Sequence, residues 1–273
     1  MTSTDSQKQN KTHWLPHRHR VLDVLKFLLL IAVFTWFMVR GTEKMGYPWQ
    51  WYRVSQYIFS FDGGTFIAGP LLNGLMVTCH IASISLLLSF AFGLTTALCR
   101  LSSSFVARLV ARGYLEIIRN TPLLVQLFFI YFVLSPVLGI SRFVSAVLAL
   151  SLFEGAYASE IFRAGIVSIH SGQWEAAHSL GLSTVDTYRF IILPQAIRRI
   201  LPPLAGQAIS LVKDSALVST IAIYDLTMRG QEVISETFLT FEIWFTIAAI
   251  YLFITVSLSF VVSYMENRLR VVL

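Results

Sequence analysis

Along this chain, long apolar stretches alternate with short polar segments, and the lengths of the stretches decide the class of protein. A hydrocarbon core of ~30 Å needs about 20 apolar residues in helical form. Six stretches approach or meet that length: 22–39, 71–98, 114–134, 143–168, 200–223 and 243–264, the last an uncharged run of 22 residues. In the first, Asp23 and Lys26 are three residues apart, so they can pair on one helix face while Lys26 snorkels toward the interface. No small-residue cleavage site follows it, so it reads as a retained span and not as a secretory signal. Residues 41–65 carry Tyr47, Trp49, Trp51, Tyr52 and Tyr57, the aromatic density of a segment lying at a membrane surface. Pro122 falls inside the third stretch and predicts a bend near Arg119, Asn120 and Thr121.

The pattern therefore predicts an all-α, polytopic integral membrane protein with six transmembrane helices. Its parts are a basic tail over 1–20, an extra N-terminal helix over 21–40, an interfacial loop over 41–65, a core over 66–265 and a short tail over 266–273. Composition agrees: of 273 residues 55% are hydrophobic and 13% charged, with a mean hydropathy of +0.67. The net charge of +6 could suggest a nucleic-acid partner, but the basic residues sit at membrane edges and form no patch on a soluble fold. Their distribution instead orients the chain. The segments 1–20, 100–113, 169–199 and 265–273 hold twelve Lys and Arg, against five in 40–65, 135–142 and 224–242, so both termini and the 169–199 loop are expected in the cytoplasm.

Cys79 and Cys99 would be ~30 Å apart on one helix, beyond disulfide reach. His13, His17, His19, His170 and His178 lack the companions a metal site needs, and His80, inside the second stretch, reads as a hydrogen-bonded residue between helices. No metal centre and no catalytic residue are expected.

Between the fourth and fifth stretches lies a polar island, EAAHSLGLSTVDTYRFIILP, from Glu175 to Pro194. Residues 171–173 read as a break and 174–180 as a short helix that Gly181 ends, with Glu175 in its first turn at the positive end of the dipole. Ser183 and Asp186 have capping-box spacing and predict a second helix running up to Pro194. The set Glu175, Ala176, Ala177, Gly181, Ile191, Leu193 and Pro194 resembles the EAA loop of the membrane subunits of binding-protein-dependent ABC importers. Three further stretches are similar to the polar-amino-acid branch of that family: RNTPLLVQLFFIY at 119–131, FEGAYASEIFRAGI at 153–166 and SLVKDSALVSTIAIYDL at 210–226.

The resemblance implies a type I importer permease core with a coupling loop at 169–197 that docks on a separate ATP-hydrolysing subunit. It implies two such ATPase subunits, a second permease subunit (identical or paralogous), an extracytoplasmic solute-binding protein, and polar amino acids as cargo, acidic ones among them. The chain has no glycine-rich phosphate loop, so no cofactor is expected on it; ATP and Mg would sit on the partner.

Charged residues inside the apolar stretches need partners or water. Glu160 and Arg163, three apart, are expected to bridge on one helix as a structural pair. Glu154, Tyr157, Lys213 and Asp214 are candidates for the substrate pathway, with interhelical ion pairing as the alternative role for the charged ones. Intramembrane carboxylates would also suit an ion-coupled secondary transporter, but such folds usually show an internal repeat and none is evident here.

Overall fold

A segment in hydrocarbon must satisfy its own backbone N–H and C=O groups, so helix is the default wherever this chain is apolar. The computed structural model describes residues 17–269, and apart from one hairpin the regular structure there is helical. The tail segments 1–16, with His13, and 270–273, with Arg270, lie outside the described residues. The chain divides into two units, 1–49 and 50–273.

In the first unit, helix α1 runs His17–Met45, five residues past the expected end at 40. Within it Leu22–Gly41 is long and apolar enough to cross a membrane. Lys26 and Asp23 lie 3.7 Å apart, and the Arg40 guanidinium sits 5.5 Å from the Trp36 ring centre.

After short helical turns at Trp51–Arg53 and Ser55–Ile58, the second unit contains an element that the interfacial loop did not predict. Strands β1 (Phe59–Asp62) and β2 (Thr65–Ala68) pair antiparallel, and the turn between them is Gly63–Gly64, both at positive φ, as a two-residue hairpin turn requires. Helix α2 (Pro70–Leu101) follows, started by a proline in its first turn. Helix α3 (Phe105–Arg119) is capped by Ser104, whose hydroxyl accepts from Ala107 N. Helix α4 (Leu123–Leu138) contains a π-helical stretch at Phe129–Leu134. Then come α5 (Arg142–Val167), α6 (Ser171–Ser179) and α7 (Leu193–Asp214), which is entered through a π-helical stretch at Thr187–Ile192. A 3-10 segment, Ser215–Ile221, leads to α8 (Leu226–Thr237) and α9 (Thr240–Leu269).

Among the described residues, four helices are long and apolar enough to span: Leu22–Gly41, Pro70–Leu101, Arg142–Val167 and Thr240–Arg268. The expected third span, 114–134, is not one helix. It is split between α3 and α4, which meet at 106° and make a fifth span only if the bent pair is counted as one. Pro122 has no N–H to continue the helix, and the Gln126 side chain closes the gap by donating to the Ile118 and Thr121 carbonyls at 2.8 and 3.0 Å. The fifth stretch, 200–223, also differs: α7 starts earlier, carries Pro202 and Pro203 inside, and gives way at Ser215 to the 3-10 segment that ends on Ala222 at positive φ. Residues 224–242, expected as an acidic outer loop, form α8. Its Leu226 and Val233 bury against Leu71, Leu239 and Ile243, and Glu242 is itself buried, accepting from Gln50 N at 2.7 Å.

The centre of the unit is the contact of α2 with α5. Ser85, Ser89, Gly93 and Ala97 recur at four-residue spacing on α2, and Ser151, Gly155 and Ser159 do so on α5; all are buried. Small side chains let two membrane helices approach until their backbones touch. A β-carbon on Gly93 would lie 2.8 Å from Ala158 Cβ, and one on Gly155 would lie 2.9 Å from Phe92 Cβ. Around this seam Ile81, Leu127, Ile130, Leu150 and Val218 form the main apolar cluster.

Candidate functional site

The polar island folds as helix, glycine turn and helix, with boundaries that differ from those the residues suggest. Helix α6 begins at Ser171, because His170 caps it: its Nδ1 accepts from Gly172 N at 3.0 Å. Glu175 is therefore the fifth helical residue, beyond the first turn where the dipole acts, and that expected role does not apply. At the other end Gly181, at φ +72°, donates to His178 O at 2.9 Å, and Leu182 donates to Ala177 O at 3.1 Å. These are the paired bonds of a Schellman stop. The Ser183 hydroxyl accepts from Asp186 N at 3.2 Å and donates to the Asp186 carboxylate at 2.6 Å. The second helix does not end at Pro194; the proline occupies the first turn of α7, where its missing N–H is harmless.

One side of this loop is stitched to the membrane helices. Ala177 is 2% exposed, and Ile192, Ala196 and Ile200 bury against Ile166 and Ile169 at the end of α5. Trp174 meets Tyr188 edge-on at 5.0 Å, Gln195 donates to Gln173 at 3.3 Å, and Arg199 donates to Ser168 O at 2.6 Å. Any side chain on Gly165 would collide with Ile200, 2.2 Å from the added β-carbon. The opposite side is open. Glu175, Ala176, Gly181, Leu193 and Pro194 are exposed, Ile191 is half-buried, and the Glu175 carboxylate makes no hydrogen bond or ion pair among the described residues. Leu180 (80% exposed) and Val185 (74%) stand out beside the glycine turn. They were not picked out from the sequence, although two aliphatic residues flanking a glycine in an otherwise polar island were the signal available.

Inside the bundle, Glu154 on α5 is 0% exposed. Gln207 on α7 donates to its carboxylate, and the Asp214 carboxyl lies beside it. The other oxygen, Glu154 Oε1, has no hydrogen-bond partner among the described residues. Lys213 points away to the surface, so of the three candidate charges only Glu154 and Asp214 come together. Tyr157, one turn on, contacts Phe153 at 5.1 Å, and the Arg119 guanidinium lies 5.7 Å from its ring centre. His80 is exposed and touches the Phe143 ring at 5.4 Å; it makes a ring contact between helices where a hydrogen bond was expected.

Glu160 and Arg163 approach to 3.3 Å, but the carboxylate also meets two arginines from other helices. Arg119 donates at 3.0 Å, and Arg100 Nη1 lies 2.7 Å away as an ion pair. One carboxylate thus ties the ends of α2 and α3 to α5. These partners lie 60 and 41 positions away in the chain, and no local spacing rule could have found them. Beside this hub is a cavity of about 570 Å³.

Membrane-length helices, a buried carboxylate between two of them and a stiff, outward-facing loop at one end define a class: the membrane component of a multi-part transport system. The chain belongs to the family of binding-protein-dependent transport system inner membrane components, whose sequence pattern matches residues 89–271. It is an all-α, multi-pass inner membrane protein with a type I ABC importer permease core. It is 40% identical over 204 residues to the glutamine transport system permease protein GlnP of Escherichia coli, a match covering 74% of this chain and 93% of that protein. It is 43% identical over 204 residues to the nopaline transport system permease protein NocM of Agrobacterium fabrum, covering 71% and 83%. Among solved structures, an amino acid ABC transporter crystallised with histidines matches with a TM-score of 0.69 at 40% identity, covering 73% of this chain and 94% of that one.

Proposed function

We propose that this chain is the permease subunit of an ATP-driven importer of polar amino acids, and that its 169–197 loop is the handle by which a separate ATPase subunit moves it. The observation that carries the reading is the two-sided loop: Ala177, Ile192 and Ala196 lock it to α5 and α7, while Glu175, Leu180 and Val185 face outward with nothing covering them. A rigid lever with an apolar tip transmits force from a partner; a flexible one would absorb it. Relatives named for glutamine and nopaline transport support the cargo class.

In this scheme the loop and both termini face the cytoplasm, in line with the Lys and Arg excess on that side. ATP and Mg bind to two ATPase subunits seated on the loops of two permease subunits, identical or paralogous. A solute-binding protein delivers cargo from outside. ATP switches the cavity only if it stabilises one of the two states more than the other. Glu154, with its free oxygen and Asp214 beside it, is the seat for the cargo's α-ammonium, since a buried carboxylate demands a compensating cation. Glu160 acts as a structural clasp among three arginines.

The test is uptake by the complex reconstituted with its ATPase and binding protein in vesicles. Accumulation of an amino acid that requires ATP and the binding protein is the expected result. Accumulation indifferent to ATP but abolished by an ionophore would mark an ion-coupled secondary transporter instead.

A further inference from the structure

The cavity beside the Glu160 hub is walled by the charged face of α3 and by the facing ends of α2 and α5. Arg108, Arg112, Glu116 and Arg119 recur at three- and four-residue spacing, so they share one side of α3, while Val106, Val110 and Ile117 are exposed on the other. With Arg100 and Arg163 the walls carry five arginines against two glutamates, a formal excess of three positive charges. Glu160 engages Arg100, Arg119 and Arg163. Among the described residues the Glu116 carboxylate accepts only from Asn120. Arg108 donates to the Ser102 carbonyl, and Arg112 has no partner among the described residues.

Two guanidiniums that face a concave space with no carboxylate of their own are the chemistry that recognises a carboxylate. The buried acid pair does not line the cavity but lies close along α5. Tyr157 lines the cavity, and Glu154 lies one turn away on the same helix, about 4.5 Å along the axis.

Resting on the reading of this chain as an amino-acid permease, we infer that the Arg108–Arg112 wall receives the side-chain carboxylate of the cargo, so that this transporter carries dicarboxylic amino acids. Glutamate or aspartate then passes from an ammonium seat at Glu154 to an anion-receptive vestibule whose charge excess a neutral or cationic side chain cannot use. Glu116 and Glu160 on the same walls keep the excess modest, which suits a site that must release what it binds.

The experiment compares wild type, Arg112→Gln and Arg112→Lys in the full reconstituted complex, with labelled glutamate, aspartate, glutamine and arginine, in vesicles made with and without anionic lipid. Arg112 makes no bond whose loss would unfold the chain, and co-purification of the ATPase subunit together with the thermal midpoint of the complex reports assembly independently. Expected are uptake of glutamate or aspartate by wild type, a loss of about tenfold or more in Arg112→Gln, partial retention in Arg112→Lys, unchanged co-purification of the ATPase subunit and an unchanged thermal midpoint in both, and the same pattern in both vesicle types. Wild type carrying glutamine or arginine but neither dicarboxylic acid would overturn the inference and leave the permease reading standing. So would an Arg112→Gln variant that moves acidic cargo normally. An effect confined to vesicles with anionic lipid would assign the wall to a lipid headgroup and overturn it as well. No ATP-driven uptake of any amino acid would bring down both readings.

Discussion

Two glycines of this chain adopt nearly the same backbone in opposite settings, and together they isolate coupling from strain. Gly181, at φ +72°, ends α6 in the loop assigned to the ATPase; Gly139, at φ +65°, ends α4 in the connection to α5. A β-carbon at either site would meet nothing within 4 Å. The penalty for Gly→Val is therefore a backbone penalty alone, about 1–2 kcal/mol for a side chain forced into the left-handed region and somewhat more for a β-branched one. That is enough to displace a single local turn by a factor of roughly 5–30 and too little to unfold the protein. At Gly181 relief of the strain breaks the bonds from Gly181 N to His178 O and from Leu182 N to Ala177 O, which turns Leu180 and Val185 out of their presented positions. We expect Gly181→Val to reach the membrane normally and to hydrolyse ATP, while uptake per ATP falls about fivefold or more. Gly139→Val, with the same intrinsic penalty, should keep uptake within about twofold of wild type. Transport and ATPase activity measured side by side in reconstituted vesicles decide it. Normal uptake in Gly181→Val, or an equal loss in Gly139→Val, would refute the assignment of the loop as a mechanical link.

Two further outcomes follow from the packing. Gly155→Val places a branched side chain 2.9 Å from Phe92 Cβ and 3.2 Å from the Tyr114 hydroxyl, so α2 and α5 must separate at a destabilisation of about 1–3 kcal/mol; a lowered thermal midpoint in detergent is expected, with Gly113→Val, which meets nothing within 4 Å, no less stable than wild type. Burial pushes the Asp225 carboxyl from its ordinary 3.8 up to about 6, despite the N–H it accepts from Met228 at 2.9 Å. A group that holds its proton more tightly in the folded state stabilises it most at low pH, so this contribution declines as pH rises from about 4 to 6 and is absent above that. Asp225→Asn keeps an acceptor for the helix cap and should remove this decline; its midpoint should exceed that of wild type above pH 6, and the gap should close toward pH 4.

Much of this architecture is legible from hydropathy and local spacing. The stretch 71–98 lies within Pro70–Leu101, 143–168 is nearly coextensive with Arg142–Val167, and 243–264 falls inside Thr240–Leu269. Ser183 and Asp186 cap as their spacing predicts, because the bonds of a cap join residues three apart. Misreadings gather where a polar segment is buried by distant neighbours. The acidic composition of 224–242 suggests a solvated loop, yet Leu226, Val233 and Leu239 find a partner in Leu71, more than 150 positions earlier, and the segment folds inward. Pro122 announces a bend, but its angle of 106° depends on how the Gln126 amide closes the break.

The sequence alone determined what depends on neighbours within a turn or on total apolar length: the helical class, the positions of the long spans, the glycine stop at 181 and the family to which the chain belongs. The tertiary structure alone decided which charges meet across helices. Glu154 finds Gln207 and Asp214, and Glu160 adds Arg100 and Arg119 to the Arg163 that its own helix supplies, across chain separations at which attraction is governed by how α2, α3, α5 and α7 stack. Coulomb attraction and hydrogen bonding act over a few ångströms of space, whatever the distance along the chain, so the chemistry of the pathway exists only once the helices are assembled.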